Sequence, residues 1–195
     1  MPTILTHAAP ALTLGLALGP RVIPPRLLVA GVACALAPDL DGIGFHLGVP
    51  YESLFGHRGL SHSTAAVVLA GLAGWVLAPW LKAGPLMASF WLALALAGHI
   101  ALDAATTGGL GPACFWPFDD QRYFLPWRFI RVSPMTLSGL LSARGLVVLV
   151  SELKWVWGPC FGLSLFILAG RFGLKSRARS SRISAISSGI LNRSI

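Results

Sequence analysis

PLMASFWLALALAGHIALDAA, residues Pro85–Ala105, decides the fold class of this chain. The segment is apolar almost throughout and long enough to cross a bilayer core, which takes about 20 helical residues. Its one charged side chain is Asp103, and His99 stands four residues before it. A helix therefore sets both on one face, at its C-terminal end. A carboxylate there opposes the negative end of the helix dipole and lies near lipid, where charge is costly. A bound cation offsets both penalties; a hydrogen-bonded pair at a helix end is the alternative.

Four further apolar stretches flank this one: Thr3–Gly19, Arg26–Ala37, His62–Leu81 and Arg144–Gly170. The first, third and fifth in chain order are long enough to span. The second is short and is expected to stop at Pro38, because proline disfavours helix at the residue before it. The fifth is expected to kink at Pro159. Across 195 residues, 55% are hydrophobic, only 11% are charged, and mean hydropathy is +0.73. A soluble domain carries about 25% charged residues. Soluble enzymes and disordered chains are thereby excluded. The expectation is an all-α, polytopic membrane bundle of about five helices. Ala11–Leu18 resembles a signal-peptide core, but no Lys or Arg precedes it, so it reads as a retained first helix. Residues 1–170 form the membrane domain, and residues 171–195 a basic, Ser/Arg-rich tail expected to be flexible. The net charge of +8 reads as topology and attraction to anionic lipid, with no direct nucleic-acid role. Cys34, Cys114 and Cys160 form no CxxC pattern and read as small hydrophobes.

Threading the stretches up and down brings the chemistry to one face. His7 begins helix one, Asp39 and Asp41 end helix two, His57 and His62 precede or begin helix three, and His99 and Asp103 end helix four. All five histidines and six of the seven acids fall at or near that face, with Glu152 apart inside the last helix. Glu152 is expected to pair with a basic side chain or to approach the site. His46, Glu52, Asp119 and Asp120 read as loop residues. Nine of the fifteen basic residues (Arg21, Arg26, Lys82, Arg171, Lys175, Arg177, Arg179, Arg182, Arg193) fall on the opposite side. By the positive-inside rule the His/Asp face points to the periplasm and the tail to the cytoplasm.

His57-Arg58-Gly59-Leu60-Ser61-His62-Ser63 is the sharpest segment. Ser61 is expected to cap the third helix, which places His62 in its first turn, where the positive helix end keeps imidazole neutral. Imidazole with carboxylate suits zinc, or manganese or iron. Seven candidate ligands, His7, Asp39, Asp41, His57, His62, His99 and Asp103, exceed one tetrahedral ion and suit two, a common device for phosphoester hydrolysis. Asp41 is then the base that takes the proton of the attacking water. Arg58 steadies the phosphate or oxyanion, and Ser63 and Arg122 join it in holding substrate.

These residues resemble the YdjM-like family of membrane-bound, metal-dependent hydrolases, also described as LexA-binding and inner-membrane-associated. The resemblance rests on Thr6-His7, Pro38-Asp39-Leu40-Asp41, the His57–Ser63 block and Gly98-His99-Ile100-Ala101-Leu102-Asp103. It extends through Phe115-Trp116-Pro117-Phe118, Arg122–Trp127 and Val132-Ser133-Pro134, from about residue 2 to 160. Ser61 replaces the family's usual threonine and keeps a hydroxyl. The resemblance implies the bacterial inner membrane, hydrolysis with a likeness to zinc-dependent phospholipase C enzymes, and a LexA-type partner on a cytoplasmic surface. Two other classes compete: an ion- or proton-coupled transporter, and a regulatory membrane protein with a structural metal. Against the transporter, the charges gather at one face rather than the midplane, and no inverted repeat is visible.

Overall fold

A computed structural model gives the fold, described here for residues 1–134 and 136–173. Among the described residues every regular element is helical. Four helices among these residues are long and apolar enough to cross a membrane: Pro25–Leu47, Thr64–Leu81, Pro85–Ala104 and Ala143–Gly173.

The first two stretches exchange the roles expected of them. The N-terminal one breaks into α1 (Ile4–His7) and α2 (Ala9–Leu18), and Ile4–Leu18 is too short to count as a span. Pro10 lies in the first turn of α2, where its missing N–H has no intrahelical role, so it restarts a helix rather than extending one. The second stretch does not stop at Pro38. α3 (Pro25–Leu36) tightens into a 3-10 segment, Ala37–Leu47, whose first turn accommodates the proline, and the two make one span.

α4 (Thr64–Leu81) begins later than expected. His62 closes a separate 3-10 turn, Leu60–His62, and the cap is Ser63, whose hydroxyl accepts from the Ala66 amide at 3.2 Å. Ser63 has the extended backbone (φ −118°, ψ 164°) that aims its hydroxyl at the third helical amide. α5 (Pro85–Ala104) runs antiparallel to α4 after a turn at Lys82–Gly84. The two pack closely because Gly74 has no side chain: a Cβ there would meet the Ala88 carbonyl oxygen at 2.4 Å.

After α5 the chain folds back over that helix's C-terminal end. The Ile130 amide bonds the Ala105 carbonyl at 3.2 Å, and the Leu125 amide bonds the Ala104 carbonyl at 2.8 Å, satisfying carbonyls that a helix end leaves open. A short turn, α6 (Leu137–Leu140), precedes α7 (Ala143–Glu152). α7 continues through a π turn, Leu153–Trp157, as the last span. The Gly158 amide reaches back to the Leu153 carbonyl, five residues earlier, in the turn just before Pro159. Of the tail, residues 174–195, with Lys175, Arg177, Arg179, Arg182 and Arg193, lie outside the described residues.

Leu27, Leu81, Ala88, Trp91 and Leu92 form the main apolar core. A second cluster, Ala9, Ala105, Ile130 and Val156, ties α2, the fold-back loop and α7 together beside the polar centre. The three cysteines are free.

Candidate metal centre

Four separate segments converge at one end of the bundle. α1 delivers His7, the 3-10 part of α3 delivers Asp39 and Asp41, the α3–α4 connection delivers His57, Arg58 and His62, and the last turns of α5 deliver His99 and Asp103. His7, His62, His99 and Asp103 are at most 1% exposed, and Asp39 is 7% exposed.

His7, Asp39, His99 and Asp103 each present a ligand atom, and these atoms lie within 4.8 Å of one another. His7 Nε2 is 3.6 Å from Asp39 and 3.5 Å from Asp103; His99 Nε2 is 3.7 Å from Asp39 and 3.8 Å from Asp103. These separations exceed hydrogen bonds. They come close to the roughly 3.3 Å between ligand atoms bound tetrahedrally at about 2.0–2.1 Å to one ion. Both ring nitrogens of His7 and both carboxylate oxygens of Asp39 are buried without any hydrogen-bond partner. Buried polar atoms normally have partners, so this group has the donor set and the unmet demand of a metal site.

The neighbouring contacts orient the ligands. His99 Nδ1 lies 2.7 Å from the Ala35 carbonyl, which can only accept, so its lone pair resides on Nε2. His62 Nδ1 lies 3.1 Å from Asp41 Oδ2, which likewise turns its Nε2 inward. The two Nε2 atoms then face each other at 2.9 Å, and His62 Nε2 is also 3.2 Å from Asp103. Two lone pairs so close demand a proton or a cation between them. Burial works against a charged His62, yet hydrogen bonds to Asp103 and Asp41 override it and lift its proton affinity above the ordinary imidazole range.

Asp41 stands apart from the four-residue group. Its side chain, 11% exposed, binds His57 Nδ1 at 2.5 Å and the Arg58 amide at 3.1 Å, and accepts from the Ser61 hydroxyl. Ser61, expected as a helix cap, thus serves this carboxylate instead. His57 touches Asp41, with Tyr51 and Phe45 beside its ring.

The three side chains expected at substrate are engaged inside the fold. Arg58 is fully buried; its guanidinium donates to Asp103 at 2.9 Å, to Thr106 at 3.2 Å and to the Leu110 carbonyl at 2.8 Å. Its left-handed backbone (φ 64°) and the tight turn at Gly59, where a Cβ would meet the Leu54 carbonyl at 2.0 Å, aim it inward. Ser63 caps α4. Arg122 donates to the carbonyls of Tyr51, Ser53 and His57 at 2.9–3.0 Å, bracing the loop behind His57. His46 is exposed at the end of the 3-10 segment.

Glu152 has no basic partner among the described residues. It is 1% exposed and accepts from the Thr3 amide at 2.5 Å and from the Thr3 and Thr6 hydroxyls at 2.7 Å each. Trp157 Nε1 donates to Thr6 at 3.1 Å. These bonds fasten α1, and with it His7, to the last span. Sequence reading gave Thr3 no place in the site and Thr6 only its place beside His7 in the family resemblance; the further signal was an acid eight residues into an apolar helix.

The chain is 46% identical over 160 residues to the inner membrane protein YbcI of Escherichia coli (strain K12), covering 82% of this chain and 92% of that protein. No solved structure matches it. The family described as YdjM inner membrane protein matches residues 1–176, its inner-membrane character fits the four apolar helices, and the chain belongs to that family.

Proposed function

We propose that the protein is a membrane-embedded, metal-dependent hydrolase acting on a phosphoester of phospholipid type. The observation that carries this reading is the sealed group of His7, Asp39, His99 and Asp103, whose ligand atoms are spaced for an ion and of which His7 and Asp39 have no hydrogen-bond partner, with His62 Nε2 beside it. Zinc, manganese or iron fits this donor set, and Asp41 with His57 is where a second ion would add. When bound, the metal supplies Lewis acidity and acidifies water.

The chain's own residues divide the remaining work. Arg58 offsets the charge of Asp103 and holds its oxygens, so it is a positioning residue. Asp41 orients His62 and, paired with His57 at the less buried edge, accepts the proton water loses as its oxygen bonds to phosphorus, and passes it to the ester oxygen as the P–O bond breaks and the alcohol leaves. A site at the end of the spans lies where lipid headgroups lie, which favours a lipid ester. The basic residues at the other end support a periplasmic site face. A LexA-type partner would then meet the cytoplasmic turns or the tail.

Metal content measured by mass spectrometry on detergent-purified protein tests the reading. Wild type is expected to hold one to two transition-metal ions per chain, with loss in Asp103→Ala and His62→Ala, and to release phosphate ester products from phospholipid vesicles. Wild-type protein without tightly held metal, under metal-replete conditions, would overturn it.

A further inference from the structure

Four of the five arginines near the site end divide into two kinds, and the fifth, Arg128, lies over the Phe124 ring. Arg58 and Arg122 have their donors engaged by protein carbonyls and a carboxylate. Arg131 and Arg144 are exposed, and among the described residues neither guanidinium makes a hydrogen bond or ion pair. Both line one cleft of about 260 Å³, whose other walls are Thr107, Val132, Val147 and Val148.

This cleft is held in shape. The Arg131 amide donates to the Ser151 hydroxyl on α7 at 3.0 Å, and the Val132 amide to the Thr107 hydroxyl at 3.3 Å. Next to them, fully buried Ile130 is pinned by the Thr107 amide at 3.0 Å and by its own bond to Ala105. The strand-like segment carrying Arg131 is therefore stitched to α7 on one side and to the end of α5 on the other. Arg144 lies in the first turn of a membrane span, so it stands at the level of lipid phosphates. Below it on the same helix face come Val147 and Ser151, then Trp155, which packs against Phe129 with ring centroids 4.9 Å apart. Two unengaged guanidinium forks on a valine-lined cleft, with the Phe129–Trp155 pair farther along the same helix, match a molecule with a phosphate at one end and a hydrocarbon chain at the other.

We infer that Arg131 and Arg144 form a binding site for the phosphate of a membrane glycerophospholipid, whose acyl chain lies along Val147 toward the Phe129–Trp155 pair. Phosphatidylglycerol, an anionic lipid without a competing ammonium, is the favoured probe. The site is distinct from the metal centre and does not depend on hydrolysis.

The test is native mass spectrometry of the full chain in detergent with added phosphatidylglycerol. Wild type is expected to retain one lipid above the non-specific background. Arg131→Gln/Arg144→Gln is expected to lower that retention at least tenfold, Arg144→Gln alone severalfold, while Arg128→Gln, whose guanidinium rests on Phe124, leaves it unchanged. Metal content measured in parallel should be the same in all four proteins, which certifies the fold and separates this outcome from that of the hydrolase reading. Should the double variant not purify, Arg144→Gln and Arg131→Lys carry the comparison, since both sites are exposed. Equal retention by wild type and the arginine variants overturns the inference. So does displacement of the lipid by inorganic phosphate at equal concentration, which would mean the cleft reads phosphate without the chain.

Discussion

The two ends of the bundle are built on opposite principles. At the Lys82–Gly84 end, Leu27 and Leu81 are fully buried against Trp91 and Leu92, helices meet at small residues, and Arg26 sits outside, donating to the Trp80 carbonyl at 3.0 Å and lying over the Trp80 ring. At the other end the fully buried side chains include Arg58, His7, His62, His99, Glu152 and Asp103, beside Ile130. The first end is held by shape, with the Trp91 indole N–H its one core polar atom buried without a partner among the described residues. The second buries charge and must satisfy it atom by atom, which lipid does not do. Its geometry is therefore over-determined by partners, and the exceptions, His7 and Asp39, mark where something from outside completes it.

Asp103→Ala is the largest expected break in this contrast. It strands the buried Arg58 guanidinium, and removing one partner of a buried pair costs about 3–5 kcal/mol. Thermal unfolding in detergent should fall accordingly, together with metal content. Leu27→Ala at the opposite end is expected to cost about 2–4 kcal/mol through lost packing, with metal content intact; a parallel loss of metal would show that the ends are coupled. Glu152→Ala frees α1 from α7 while touching no ligand. It should weaken metal affinity by about 10- to 100-fold, the usual effect of losing an orienting partner, measured by chelator competition. Glu152→Gln, which keeps an acceptor oxygen, should recover part of it. The smallest effect belongs to the helix cap: Ser63→Ala should cost about 1 kcal/mol and Ser63→Asp little, leaving metal affinity unchanged. Ser61→Ala should do the reverse, because its hydroxyl serves Asp41 rather than α4.

Legibility in the sequence followed the range of the interaction. His99 and Asp103 were readable as a pair because four residues on a helix is a local distance, and α5 runs as its hydropathy implies. The convergence of His7, Asp39, His62 and the α5 pair on one face followed from alternating the apolar stretches. Glu152 was not placeable: its partners Thr3 and Thr6 lie 149 and 146 residues away, and hydrogen bonds between uncharged hydroxyls and a carboxylate leave no pattern in a chain. Arg58 was misread for a related reason. Arginine beside histidine suggests an anion from outside, but the left-handed turn that aims it at Asp103 is a property of the folded loop.

By itself, the sequence determined that this chain lives in a bilayer, that its helices are apolar, and that its histidines and all its acids but Glu152 share one end. Those properties depend on composition and on spacing within single helices, where each residue's neighbours are set by the chain. The tertiary structure alone decided that the first apolar stretch splits at Ala8, that the second passes through Pro38, that four of seven candidate ligands close around one point, and that Asp41, Arg58 and Glu152 hold other groups in place. Those outcomes turn on distances of an ångström or less between segments far apart in the chain, and only packing fixes such distances.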